Sequence, residues 1–434
     1  MNINNLFLYL FYAGLSFLVF LIDSYIGLLS AIFGYIFLFF LNYRNNGSIF
    51  NHIQFYLIAC WILSITQIFN LYNFDETFFY DERFYFLCCV IITGLISTFF
   101  EVPAQNLLLF QIKKEQKRLN YLSYILVFLW VLSILSIDGF FGGVLQYIFR
   151  NLLIISPIIV ASILYLNFKK KLFPNIIFFL TFLYYTSIMF NRTGFLLVPL
   201  IFIVTILIEK EFKINFIKNS RFIFGSLILV FFTLVIADIY KGSNSREGFI
   251  GFFKDLKISD FENFSSNTRY QINPTHNIYD YFSILDALTD EKKELKGNIF
   301  YQYINAAKPR LFFPEKQITN ISELNYLQGY VSNKLFFAIF IESSYNLGLI
   351  GVFLFHLLLL LVGKIMFNSL LIVKSEFLFK LFSVHYFFYI ISMYTLIRGP
   401  GIHLVPYFFI CFCIMVYILY LSKKTSIRKF DQLT

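Results

Sequence analysis

The amino-acid sequence predicts an all-α membrane protein: a polytopic bundle of about twelve transmembrane helices with one large exported loop that contains short helices. Three observations predict this fold class. Apolar residues make up 59% of the chain and charged residues only 14%, whereas a soluble domain carries about 25% charged residues. Apolar runs near 20 residues long, enough to cross a ~30 Å bilayer core, recur along the chain. Lysine and arginine concentrate in alternate connections between these runs, as the positive-inside rule requires.

The elements follow from the runs in chain order. The first two are joined tightly at Asp23. A long polar segment interrupts the series late in the chain. Its prolines break any long helix, and apolar residues at helical spacing near residues 278–289 predict a short amphipathic helix. The predicted spans are residues 6–22, 25–41, 53–71, 84–100, 121–137, 147–168, 176–190, 195–208, 222–239, 336–362, 377–397 and 402–421.

This series divides the chain into four parts. Residues 1–239 form spans one to nine, 240–335 the large loop, 336–421 the last three spans, and 422–434 a tail. With the N-terminus inside, the cytoplasmic segments hold 19 lysines and arginines, and the short outer loops hold four. This bias predicts that both termini are cytoplasmic and that the large loop lies outside.

Composition excludes several function classes. The net charge is +10, but many basic residues lie in short loops between apolar runs, so nucleic acid is not a predicted partner. All five cysteines lie in apolar runs, and metal-ligand spacings are absent from the sequence. There is also no phosphate-binding loop, zinc-protease motif or paired-aspartate motif. The sequence therefore predicts chemistry that needs no metal and no cofactor, on an already activated substrate.

Two arginines on the predicted outer side are the first catalytic candidates. Arg192 lies in FNRTGF at the outer junction of spans seven and eight, and Arg310 lies in KPRLFFPEK before span ten. A guanidinium can grip a diphosphate through paired hydrogen bonds. The alternatives are an interface anchor for Arg192 and a solvated cation for Arg310.

Two further residues could accept a proton. Glu342 lies in IESSYNLGLIG, about two turns into span ten, and His276 lies in PTHNIYD in the loop. The alternative for Glu342 is a structural ion pair with a neighbouring helix, and the alternative for His276 is an interface histidine without a catalytic role. Six more residues on the same predicted side are expected to bind substrate: Asn191, Arg269, Lys308, Tyr345, Arg398 and His403.

The pattern resembles the O-antigen polymerases, membrane enzymes that join oligosaccharide repeat units of bacterial surface polysaccharides. Beside the span count and the late exported loop, the local matches are NRTG (191–194), KPRLFFPEK (308–316) and ESSYNLGLIG (342–351). THNIY (275–279) is similar to the HNxY element of O-antigen ligases. In ligases an acid-and-glycine segment follows closely, but here about 60 residues intervene, which favours the polymerase.

The resemblance implies glycosyl transfer between undecaprenyl-diphosphate-linked glycans at the outer leaflet of the bacterial cytoplasmic membrane. It implies a flippase and a chain-length regulator of the same pathway as partners, besides the lipid bilayer. Two alternatives stay open: an O-antigen ligase, and a repeat-unit flippase or other transporter. A transporter should place its charges along the middle of the bundle, whereas here they lie near the predicted outer face.

Overall fold

In a computed structural model of the protein, the described residues are helical apart from short turns. The structure describes residues 3–46, 51–73, 80–101, 119–137, 157–168, 170–185, 192–209, 348–373 and 375–398, with residues 411 and 416. The predicted loop 240–335 and the predicted span 222–239 lie outside the described residues. The helices are α1 (Ile3–Ile22), α2 (Ser24–Asn46), α3 (His52–Asn73), α4 (Tyr80–Thr98), α5 (Leu119–Ile137), α6 (Pro157–Asn167), α7 (Leu172–Leu183), α8 (Arg192–Glu209), α9 (Leu349–Ile372), α10 (Glu376–Ile391) and α11 (Met393–Arg398).

Three of these helices are long and apolar enough to cross a membrane. They are Asn4–Ile22 within α1, Ser24–Asn45 within α2, and Leu349–Ile372, which is α9. Shorter apolar helices account for much of the rest. The helical class and the membrane character predicted from sequence are therefore confirmed for the described part, while the number of spans stays a prediction.

Helix boundaries differ from several predicted spans, and the last part of the chain gives two examples. The span predicted to end at residue 362 continues as α9 to Ile372, through Gly363 and Lys364. A lysine near a helix end can extend along apolar surface, and Lys364 Nζ lies 5.7 Å from the ring centroid of Phe100. The predicted span 377–397 is divided into α10 and α11 around Ser392.

The chain folds as two compact units, and each draws helices from both sides of the predicted loop. Unit 1 comprises Met1–Leu108, Pro274–Leu371 and Ser392–Thr434, and unit 2 comprises Leu109–Asn273 and Ile372–Ile391. Unit 1 therefore contains α1 to α4, nearly all of α9, and α11. Unit 2 contains α5 to α8 and α10.

The α1–α2 hairpin shows how the sequence sets a close helix pair in unit 1. The Asp23 carboxylate accepts hydrogen bonds from the backbone N–H groups of Tyr25 (2.9 Å) and Ile26 (3.0 Å) and so caps α2. Along the contact, Tyr12 donates to the Ser30 carbonyl at 2.6 Å. Gly27 lies directly against the backbone of Phe20. The tight junction predicted at Asp23 is thus a capped turn between two packed helices.

Helices α1 and α2 run antiparallel, and α2 and α4 run parallel. At one end, Asn45 near the end of α2 donates to Asn5 at the start of α1 (3.4 Å). At the other end, Arg83 at the start of α4 donates to Ser24 at the start of α2 (2.7 Å). The guanidinium also lies 4.4 Å from the Tyr25 ring centroid. These contacts fix the relative directions of α1, α2 and α4.

We expect Gly27→Ala to destabilise the protein because the new methyl group would collide with the Phe20 backbone, which cannot move aside easily. Such overpacking costs about 1–3 kcal/mol. Gly14→Ala is the matched control, since no heavy atom lies within 4 Å of a methyl group added there. The midpoint of thermal unfolding in detergent would be measured for both variants. Equal midpoints for Gly27→Ala and Gly14→Ala would show that α1 and α2 do not pack in this way.

Candidate functional site

The structure places two of the predicted site residues on helices. Arg192 is the first residue of α8 in unit 2, and Arg398 is the last residue of α11 in unit 1. The other predicted residues lie outside the described part of the chain: Asn191, Arg269, His276, Lys308, Arg310, Glu342, Tyr345 and His403. The described contacts bring none of the predicted residues together, so their shared site stays a prediction.

The opposite end of α8 lies in a cluster of paired charges, the lysine cluster, formed by Lys171, Lys380, Glu209 and Glu376. Lys171 forms an ion pair with Glu209 at 2.9 Å, and Lys380 pairs with Glu376 at 2.8 Å. The paired side chains range from 17% to 40% exposed, so solvent weakens both ion pairs.

Both lysines also cap the carboxyl end of α6. Lys171 donates to the Tyr165 carbonyl at 2.7 Å, and Lys380 donates to the Leu166 carbonyl at 3.0 Å. The last carbonyls of a helix have no partner within the helix and carry partial negative charge, so cations there are favourable. The lysine cluster thereby joins one end each of α6, α7, α8 and α10.

This arrangement sets the position of Arg192 along the bundle axis of unit 2. Glu209 in the lysine cluster ends α8, and Arg192 begins it. At 1.5 Å per residue the two lie about 25 Å apart, near the thickness of a bilayer core. Lysine-rich ends are predicted to be cytoplasmic, and the outer position of Arg192 stays a prediction.

A buried polar site in unit 1 joins several helices. We call it the tyrosine node: Tyr9, Tyr35, Tyr56, Thr93 and His356. Tyr9 donates to the Ile91 carbonyl (3.3 Å) and Tyr56 lies 3.2 Å from the Thr93 carbonyl. The hydroxyl oxygen of Tyr35 lies 2.5 Å from Thr93 Oγ1. Phenols from α1, α2 and α3 thus meet one turn of α4.

The Thr93 hydroxyl has several possible acceptors for its hydrogen. It is within hydrogen-bond distance of two carbonyls of its own helix, Cys89 at 2.8 Å and Val90 at 3.0 Å. It also shares a hydrogen bond with the Tyr35 hydroxyl, in which either oxygen can be the donor. Thr93 thus joins α2 to the α4 backbone.

His356 connects α9 to this node. Its Nδ1 lies 2.9 Å from the Tyr56 hydroxyl oxygen, and both side chains are fully buried. The single phenolic hydrogen of Tyr56 can point to His356 or to the Thr93 carbonyl. Ionisable groups inside a membrane bundle are candidates for proton handling, and polar groups there also join helices. The contacts of the tyrosine node fit the role of joining helices, since they connect α1, α2, α3, α4 and α9.

Sequence reasoning missed the tyrosine node. The available signal was a histidine within the apolar run FLFHLLLL (353–360) and a threonine within VIITGL (90–95). The described partners that join them to other helices, Tyr56 and Tyr35, lie far away in the sequence. The tyrosines are too numerous in this chain, at 30, to single out three. Among the described residues, no cluster of three histidine, cysteine or acidic side chains could hold a metal ion.

No family model, curated protein or solved structure matches this chain.

We expect Thr93→Val to destabilise unit 1 because the buried Tyr35 hydroxyl would lose its hydrogen bond to Thr93 Oγ1. Loss of a buried hydrogen-bond partner costs about 1–3 kcal/mol. Tyr35→Phe in the same background removes the other hydroxyl of the pair, so the double variant should lose less stability than the two single variants together. Unfolding free energies of the four proteins give the coupling, and strict additivity would contradict the Tyr35–Thr93 hydrogen bond.

We expect Lys380→Met to lower stability by about 1 kcal/mol because it removes the cap on the α6 carbonyls and the partner of Glu376. The control is Lys170→Met, which changes an exposed lysine next to the cluster. Thermal unfolding in detergent compares the two. A smaller effect at residue 380 than at residue 170 would show that the lysine cluster does not hold these helix ends.

Proposed function

We propose that this protein is a membrane glycosyltransferase that polymerises undecaprenyl-diphosphate-linked oligosaccharide repeat units at the outer leaflet of the cytoplasmic membrane. The product is a bacterial surface polysaccharide such as O-antigen, capsule or exopolysaccharide. The observation that carries the proposal is the placement of Arg192 at the helix end opposite the lysine cluster. The resemblance of NRTG, KPRLFFPEK and ESSYNLGLIG to the polymerase family supports it.

The reaction joins two lipid-borne glycans. A hydroxyl group of the acceptor repeat unit attacks the anomeric carbon of the donor glycan. A new glycosidic bond forms, the bond between sugar and diphosphate breaks, and undecaprenyl diphosphate leaves. The energy is already present in the donor linkage, so the outer side of the membrane needs no nucleotide.

In this proposal the arginines stabilise the leaving group. Arg192 and Arg310 bind diphosphate and offset the negative charge that builds on it in the transition state. Because Arg192 opens α8, the free N–H groups of that helix end add to the favourable field for an anion. Glu342 or His276 accepts the proton of the attacking hydroxyl. Arg398, at the end of α11, and the remaining candidates contact the glycan or its diphosphate.

A ligase that transfers finished chains to lipid A core uses the same donor and is the nearest alternative. The two differ in product. Cells that lack a polymerase accumulate a single lipid-linked repeat unit, whereas cells that lack a ligase accumulate long lipid-linked chains. A flippase differs again, because its loss keeps the repeat unit on the cytoplasmic side. Analysis of lipid-linked glycans in deletion cells therefore distinguishes all three.

We expect Arg192→Ala and Arg310→Ala each to slow chain elongation by about 100-fold or more, as removal of a transition-state donor does elsewhere. Arg192→Lys should restore only part of the rate, since an ammonium cannot form the paired contacts of a guanidinium. Arg44→Ala removes an exposed arginine at the end of α2 and should leave the rate unchanged. Glycan chain length in cells with matched protein levels is the measurement. Normal chains from both alanine variants would exclude the arginine mechanism.

A further inference from the structure

The surface of unit 2 next to the lysine cluster joins an exposed cation to an exposed apolar helix face. Lys171 and Lys380 each lie against a glutamate. Lys170 is exposed, and no acidic partner for it lies among the described residues. Lys169 precedes it in the sequence. The lysines of this surface therefore outnumber the glutamates that compensate them.

One side of α7 continues from Lys170 as an exposed apolar surface, which we call the α7 stripe. The other side of α7 is buried, where the helix packs on α6 and α8. The stripe runs from residue 172 to residue 180, which is about 12 Å along the helix axis. That length is close to half the thickness of a ~30 Å bilayer core. Its residues are Leu172 (75% exposed), Phe173 (42%), Ile176 (47%), Phe179 (59%) and Leu180 (44%).

The first turn of α7 has residue types that suit the boundary between lipid headgroups and acyl chains. The ring centroids of Phe168 and Phe173 lie 5.2 Å apart, and aromatic rings are enriched at this boundary. The polar side chain of Asn175 is also exposed here. A lipid on this surface would have its charged group beside Lys170 and its acyl chains along the α7 stripe.

The turn that carries Lys170 is held in place on both sides. The Phe168 N–H donates to the Leu164 carbonyl at 3.0 Å. The Lys171 ammonium donates to the Tyr165 carbonyl at 2.7 Å and lies 4.3 Å from the centroid of the Tyr165 ring. Because the backbone around Lys170 is already ordered, a ligand bound there loses less free energy to ordering this turn.

Of the available ligands, an anionic phospholipid matches both parts of this surface. A zwitterionic lipid has acyl chains for the α7 stripe but no net charge for the lysine. A soluble phosphate has the charge but leaves the apolar side chains uncovered. The lysine-rich end of unit 2 is predicted to be cytoplasmic, and the cytoplasmic leaflet carries anionic lipids.

We propose that this surface binds an anionic phospholipid of the cytoplasmic leaflet, with its phosphate at Lys170 and its acyl chains on the α7 stripe. Lys171 and Lys380 stay engaged within the protein and hold the turn in position. This inference does not depend on the proposed reaction.

The test uses the full-length protein in phosphatidylcholine vesicles that also contain a photoreactive lipid. This lipid carries a diazirine in one acyl chain and has either a phosphatidylglycerol or a phosphatidylcholine headgroup. Mass spectrometry gives the crosslinking yield on residues 172–180 for each headgroup, and the ratio of the two yields measures the preference for the anionic lipid. Lys170→Gln removes the charge and Lys170→Arg keeps it. Arg44→Gln is the control, because it removes an exposed cation at the end of α2 in unit 1.

Lys170→Gln should lower the ratio about 5-fold, the effect expected from one basic residue near an anionic headgroup. Lys170→Arg and Arg44→Gln should keep the ratio of the parent, and all variants are compared at matched size-exclusion profiles. Inorganic phosphate in excess, added at constant ionic strength, should leave the ratio unchanged. A parent ratio near unity, an unchanged ratio in Lys170→Gln, or an equal fall in Arg44→Gln would overturn the proposal. Loss of the preference on addition of phosphate would overturn the assignment to a lipid.

Discussion

A buried phenol in an apolar bundle has no water to donate to, and that constraint organises unit 1. A polar group left without a partner in such surroundings costs several kcal/mol. Tyr9, Tyr35 and Tyr56 meet the requirement at one turn of α4, around Thr93. These hydrogen bonds set the rotation and the position along the helix axis of α1, α2 and α3 relative to α4. His356 adds α9 to this group through its hydrogen bond with Tyr56.

The described ion pairs of unit 2 lie together at one end of its helices. The lysine cluster places two ammonium groups on the last carbonyls of α6 and pairs each with a glutamate. These charges can stay near water while their carbon stems cover apolar surface. Helix α8 has Glu209 of this cluster at one end and Arg192 at the other. The two ends of α8 therefore carry different charged groups. An arginine at the far end suits a lipid diphosphate, whereas the paired lysines are already engaged within the protein.

The sequence was sufficient for properties that depend on a single segment. Apolar run length predicted the helical class and a tight junction at Asp23. The structure shows that this junction is a capped turn between α1 and α2. The extension of α9 past Lys364 could not be predicted from the charge alone, since the Phe100 ring beside this lysine lies beyond the end of α4, more than 260 residues earlier in the chain. The tyrosine node depends on contacts between residues as far apart as Tyr56 and His356. The predicted catalytic residues Arg310, Glu342 and His276 lie outside the described chain and remain predictions.

The account rests on a bundle that spans a membrane, with Arg192 and the lysine cluster on opposite faces. The most direct test introduces single cysteines by Lys170→Cys, Arg192→Cys and Arg310→Cys into a protein without its native cysteines. Intact cells are then treated with a membrane-impermeant maleimide. The account predicts labelling at residues 192 and 310 in intact cells, and at residue 170 only after permeabilisation. Labelling of residues 170 and 192 from the same side, or of 192 and 310 from different sides, would contradict it.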